Sequence, residues 1–173
     1  LKRLTMEKFK RNISDKLISL MNYRIAQEES SSRLYKAMAV WLDFKGYPGA
    51  AKLFDKYSQE ELKHAQWAYQ YLLDLDVMPK VPSLDAPESN FTSLVDIIYA
   101  TYEHEQLITE QCEKLAADAF KEADFMTLHL AQHYLDEQVE ELAKSNYWVN
   151  RIQEFGTDKV ILLEIDEEMG DKA

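Results

Sequence analysis

The sequence has few of the residues that interrupt helices and turn strands. Four glycines and four prolines in 173 residues are too few for the many tight turns of a β-sandwich or barrel. A single cysteine leaves no internal disulfide, which fits a reducing compartment, and a cytoplasmic protein is expected. No apolar run approaches the ~20 residues needed to span a membrane. Positive charge is also scarce: 20 basic residues stand against 31 acidic ones, for a net charge of −11. That balance argues against a nucleic-acid partner and favours cations or basic partners. Some of the basic charge falls at the start of the chain, where Lys2, Arg3, Lys8, Lys10 and Arg11 lie among scattered apolar residues. Residues 1–13 lack the apolar stretch of a secretory signal and read as a basic extension preceding the domain at 14–170.

What is abundant is helix-forming apolar sequence, 46% hydrophobic overall. Period and breakers predict four long helices and a short fifth. The first runs from an N-cap at Ser14 to about Phe44, before Gly46. The second begins near Pro48 and runs to about Asp76. A stretch containing Pro79, Pro82 and Pro87 follows, without helical period. Thr92 or Ser93 caps the third helix, which ends near Phe120. The fourth starts after a short break at 121–124 and ends near Phe155. Thr157 or Asp158 caps a final helix through about Glu168. Short links make each half an antiparallel hairpin, while the long mid-chain link can traverse the ~30 Å length of a helix. The expected fold is all-α: a four-helix bundle with one long crossover and a short C-terminal fifth helix.

Following each core stripe in steps of three and four gives Met21, Ile25, Glu28, Ser32, Tyr35, Ala39 and Leu42 on the first helix. The second gives Phe54, Tyr57, Glu61, His64, Ala68 and Tyr71; the third gives Leu94, Ile98, Thr101, Glu105, Ile108, Cys112 and Leu115. The fourth gives Leu130, Tyr134, Glu137, Glu141, Lys144 and Trp148. Every stripe is interrupted near its middle by glutamate. Converging buried carboxylates repel one another unless cations lie between them. Two divalent ions would neutralise Glu28, Glu61, Glu105 and Glu141, with His64 adding one nitrogen. Such an oxygen-rich set suits iron or manganese and also admits zinc. Glu-x-x-His alone favours an ordinary surface pair; the four matched interruptions favour a metal site instead. Glu60, Glu137 and Glu140 form a second layer, read as a third cation site sharing Glu141 or as a solvated face. Tyr35 lies two turns beyond Glu28, as a hydrogen-bond donor to a ligand, an electron donor, or a core tyrosine.

With those residues in view, the sequence resembles the non-haem ferritins of prokaryotic type. The matching text is Glu28 with Tyr35 and the runs Gln59-Glu60-Glu61-Leu62-Lys63-His64, His104-Glu105-Gln106-Leu107-Ile108-Thr109, and Tyr134 through Glu141. The resemblance implies a ferroxidase centre in which Glu28, Glu61 and His64 hold a first iron. Glu61, bridging, then joins Glu105 and Glu141 at a second, and Glu60, Glu137, Glu140 and Glu141 hold a third. It places Gln138 near the second iron and makes Tyr35 functional. It further implies Fe(II) oxidised by dioxygen or hydrogen peroxide, ferric mineral stored inside a homo-oligomeric shell of twenty-four subunits, and a fifth helix lining four-fold pores. Asp118, Glu122 and Asp124, at the break between the third and fourth helices, are candidates for lining iron-entry pores or are solvated loop acids.

Departures from the pattern narrow the reading. Leu62 stands where haem-binding bacterioferritins carry methionine, and the second Glu-x-x-His is absent, so no haem is expected. No CxxC pair exists to build a rubredoxin-like segment. His133 stands where a tryptophan would support a two-residue radical relay with Tyr35. The competing readings are a di-iron oxidase or peroxidase that removes oxidant without storing much iron, and a helical interaction protein with a dead site.

Overall fold

A computed structural model describes residues 13–173, so the basic extension falls outside the described residues except for Ile13, which is buried against Leu17, Leu75 and Ala119. Five helices follow in order: α1 (Asp15–Lys45), α2 (Pro48–Asp74), α3 (Leu94–Lys121), α4 (Phe125–Phe155) and α5 (Lys159–Lys172). Each start has a local chemical cause. The Ser14 hydroxyl accepts from Leu17 N, Ser93 from Asp96 N, Asp124 from Thr127 N and Asp158 from Val160 N and Ile161 N, each satisfying amide donors that no helical carbonyl can reach. Proline occupies the first turn of α2, and Gly46, at φ +87°, closes α1 in the left-handed conformation.

The hairpins α1–α2 and α3–α4 pack extensively, and residues 75–93 cross the bundle between them. Along the way Lys80 N donates to Asn22 Oδ1 on α1 (2.7 Å), and Phe91 packs edge-on against Trp41. Of the acids at the α3–α4 turn, Asp118 pairs with Lys16 at 2.7 Å and Asp124 caps α4. These two therefore have structural partners in the chain.

Every residue of the α1 and α3 stripes is buried, as is the α2 stripe except for half-buried Tyr71. On α4 the buried stripe is Ala131, Tyr134, Gln138, Glu141, Ser145 and Trp148. Glu137 and Lys144, placed on that stripe by the spacing, are half-buried at its edge. Neutral Gln138 and Ser145 enter the interior instead, which avoids desolvating two further charges.

The fifth helix runs through Gly170 to Lys172, past the expected end near Glu168. Gly170 N lies near Gly49, where α5 docks across the start of α2, and an added Cβ at Gly170 would meet Gly49 Cα at 3.1 Å. Asp166, buried, accepts from Ala50 N at 2.7 Å and so caps α2 from another helix. A Cβ at Gly49 would sit 2.0 Å from the Asp166 carbonyl oxygen. Asp166→Ala is expected to cost about 1–2 kcal/mol, and Gly49→Ala more than about 2 kcal/mol with α5 displaced. Thermal unfolding and proteolysis after Phe155 check this; two variants indistinguishable from the parent chain would refute the docking role.

Candidate metal centre

Four long helices bring one glutamate each to the bundle interior: Glu28, Glu61, Glu105 and Glu141 are 2%, 5%, 2% and 7% exposed. Helical spacing places His64 one turn beyond Glu61, with Nδ1 3.4 Å from Glu61 Oε2. Donor atoms of Glu28, Glu61 and His64 all lie within 4.8 Å of one another. Two carboxylates and an imidazole at that separation can ligate a single cation, and the oxygen-rich set fits iron.

Glu105 and Glu141 lie beside this group and line one narrow cavity with Tyr35 and Lys144. The Tyr35 hydroxyl donates to Glu105 Oε1. Gln138 Nε2 is 3.3 Å from Glu105 Oε2, and the Gln138 carbonyl oxygen accepts from Thr109 Oγ1 at 3.1 Å. Both Glu105 oxygens are thus oriented by neutral donors. This gives Tyr35 and Gln138 a shared role in aiming one carboxylate, as partners outside the donor set commonly do. Of the second layer, Glu60 and Glu137 are half-buried and Glu140 is exposed. Glu137 Oε2 lies 3.8 Å from His64 Nε2, on the imidazole's far side.

Packing so many carboxylates together shifts their proton affinity. Burial first, then the Glu28 charge and a hydrogen bond to Glu28, push Glu61 well above the ordinary range. Burial pushes Glu105 up to about 8, opposed by the Tyr35 hydrogen bond and assisted by Glu141 and Glu28. Burial also raises Glu141, against the lowering influence of Lys144. His104 packs edge-on to Tyr35 and lies 2.8 Å from Ser31 Oγ; burial brings it down to about 4, so it is neutral near pH 7.

Two cations belong to this site that sequence reasoning did not assign to it. Arg24, 2% exposed, places Nε 2.7 Å from Glu28 Oε1. That contact is an ion pair by distance, without the alignment of a hydrogen bond. The Arg24 guanidinium also reaches Cys112 Sγ at 3.5 Å. Lys144 Nζ lies 2.8 Å from Glu141 Oε1. The available signals were spacings alone: Arg24 stands four residues before Glu28, and Lys144 three after Glu141. An aromatic pile adjoins the centre, with Trp67 between His64 (4.8 Å between centroids) and His133 (4.2 Å). Tyr134 fixes the α2 backbone by donating to His64 O at 2.7 Å.

Comparison with known proteins finds the ferritin-like domain of the Ferritin family matching residues 18–155. A probable bacterial non-heme ferritin-like protein of Haemophilus influenzae is 31% identical, over 91% of this chain and 96% of its own. A bacterial non-heme ferritin of Escherichia coli O6:H1 is 31% identical, over 91% and 95%. Among solved structures, an open-pore ferritin from the hyperthermophilic archaeon Archaeoglobus fulgidus superposes with a TM-score of 0.90. It shares 32% identity, covering 92% of this chain and 98% of that one.

The raised carboxyl groups give pH dependence a definite sign. They bind protons more tightly in the folded protein than in the unfolded chain, so their stabilisation is complete below the ordinary carboxyl value and is lost as pH rises through the folded values. Below about pH 6.5 His104, brought down to about 4, acts in the opposite sense, so the melting temperature of metal-free protein is expected to fall by several degrees between about pH 6.5 and about pH 8, the upper end set by Glu105. Glu105→Gln should flatten that slope, and zinc should remove most of it while releasing protons. Differential scanning calorimetry across pH checks the first two, and proton release in weak buffer the third. A melting temperature rising over that interval would contradict the assignment.

Proposed function

Because this chain belongs to the ferritin family, we propose that it stores iron, oxidising Fe(II) at a dinuclear ferroxidase centre and retaining Fe(III) as mineral within a shell. The observation that carries the reading is the buried Glu28–Glu61–His64 group, with donor atoms inside 4.8 Å, midway along the bundle and beside Glu105 and Glu141. Ferrous iron is the substrate. Glu28, Glu61 and His64 would bind one ion, and Glu61, bridging, would join Glu105 and Glu141 at the second.

Each residue then has a physical task. Four carboxylates raise the local preference for the more highly charged ferric state, because a hard, trivalent ion gains more from oxygen anions than a divalent one. Binding a cation favours the ionised carboxylates, against the raised proton affinity of Glu61 and Glu105. Tyr35 keeps one Glu105 oxygen oriented, and its buried hydroxyl, raised well above the ordinary phenol range by burial and then by Glu105 and Glu61, stays protonated. Dioxygen or hydrogen peroxide accepts the electrons. Glu60, Glu137, Glu140 and Glu141 would form a neighbouring station for a third iron. The excess of acidic residues favours attracting cations to the assembly.

The same reading places the protein in the cytoplasm as a shell of twenty-four copies, with α5 at the four-fold pores. No described helix is long and apolar enough to cross a membrane. Burial of Asp166 and Ile165 against the bundle end turns Asp166 away from such a pore, while Lys159, Glu164, Glu167, Asp171 and Lys172 are exposed along α5.

Purified metal-free protein given Fe(II) anaerobically and then air should oxidise it rapidly and keep many irons per chain in a soluble large assembly. Retention of only about two irons per chain would instead favour an oxidase that consumes oxidant. Glu61→Ala with His64→Ala should reduce the initial oxidation rate at least about hundredfold while the shell still assembles. An unchanged rate would refute the centre. Glu137→Ala with Glu140→Ala should leave initial binding near normal and change the ratio of iron oxidised to oxygen consumed; unchanged turnover and stoichiometry would remove the third station.

A further inference from the structure

The two cationic side chains at the centre differ in what a metal ion can do to them. Arg24 and Glu28 are both nearly inaccessible, at 3% and 2% side-chain exposure, and Arg24 takes only Oε1 of Glu28. In both pairs the cation takes one carboxylate oxygen, Oε1, and the difference is exposure: the Arg24 guanidinium is buried where it stands. Lys144 is different. Its side chain is 41% exposed, while that of its partner Glu141 is 9% exposed. Lys144 lines the narrow cavity shared with Tyr35, Glu105 and Glu141, and also a wider pocket of about 360 Å³ lined by Lys56, Tyr57, Glu60 and Lys172. It therefore stands at the junction of the two cavities. One ammonium position touches Glu141, and the flexible four-carbon stem gives it others in the wider pocket, beside Glu60.

We propose that Lys144 is an internal competitor for Glu141: a metal ion gains both oxygens of this carboxylate only by displacing the ammonium from Oε1, which the half-exposed lysine permits, so the position served by Glu141 binds more weakly and releases its ion more readily than the position served by Glu28. The proposal rests on the dinuclear reading above and deepens it. Arg24 leaves the first position a fixed holding site. Lys144 makes the second a transit site, because as an ion departs the ammonium re-neutralises Glu141 and spares a buried carboxylate an unpaired state. The displaced ammonium enters the pocket that contains Glu60, so it also opposes a cation at the third station. Lys144 acts through Glu141 and is a positioning residue, not a ligand.

Anaerobic titration of the assembled, metal-free protein with cobalt(II), followed by calorimetry and by the visible absorption of bound cobalt, separates the two affinities. Lys144→Met should tighten the second, weaker ion about tenfold and leave the first within about twofold; Lys144→Arg should restore the parent value. The first ion is an internal control for folding, since a merely structural defect would weaken both. Equal or weaker second-ion binding in Lys144→Met, with two ions bound by the parent protein, overturns the role of Lys144 alone. A parent protein that binds no cobalt overturns both that role and the dinuclear reading.

Discussion

Four carboxylates held in one low-dielectric interior set the terms for the rest of this molecule. Each costs several kcal/mol to desolvate as an anion, and each raises the cost of its neighbours. The fold answers in three ways at once. It raises the proton affinity of Glu61 and Glu105, it pairs Glu28 with Arg24 and Glu141 with Lys144, and it directs neutral donors, from Tyr35 and Gln138, to Glu105. None of these fully satisfies the set. Burial still holds Glu61, Glu105 and Glu141 above the ordinary carboxyl range, and a cation in place of the protons would relieve the same cost.

The centre must be held by a scaffold which does not collapse around it. The apolar residues above and below the centre supply the rigidity: Tyr35, Met38, Leu42, Phe54 and Trp148 fill one end, and Met21, Ile25, Ala68, Leu72 and Leu115 the other. The polar layer is therefore sandwiched between two packed clusters, with helices on all sides whose backbone groups are already satisfied internally. The Asp166 cap on α2 and the Gly49–Gly170 approach fasten α5 to one end of this bundle. Docking at the helix terminus leaves the glutamates undisturbed while presenting the outer side of α5 to solvent or to other copies.

The sequence carried the scaffold more completely than the site. Caps at Ser14, Ser93 and Asp158, the proline at position 48 and the length of the crossover are local chemistry, and each marks its boundary without knowledge of the fold. The phase of α4 is not local. Two stripes share Tyr134, Glu141 and Trp148 and differ only in the order of three- and four-residue steps, one passing through Glu137 and Lys144, the other through Gln138 and Ser145. Periodicity cannot choose between them, because both advance seven residues in about two turns. Desolvation can: the inward pair is the uncharged one. The approach of Gly170 to Gly49 is likewise not local, since a glycine carries no sequence mark of the backbone it will meet.

The same shift of phase that moves Lys144 off the core stripe is what gives it a function. Fully inward, its ammonium would have no second position to move to; fully outward, it would not touch the centre. At the boundary it retains both contacts, with Glu141 on one side and the wider pocket on the other. Arg24, one full turn before Glu28 and wholly inside, shows the opposite limit, a charge that stays where it is. On the proposed reading, a site that holds iron long enough to oxidise it and then passes it on needs both behaviours, and the two ion pairs of this bundle centre supply one each.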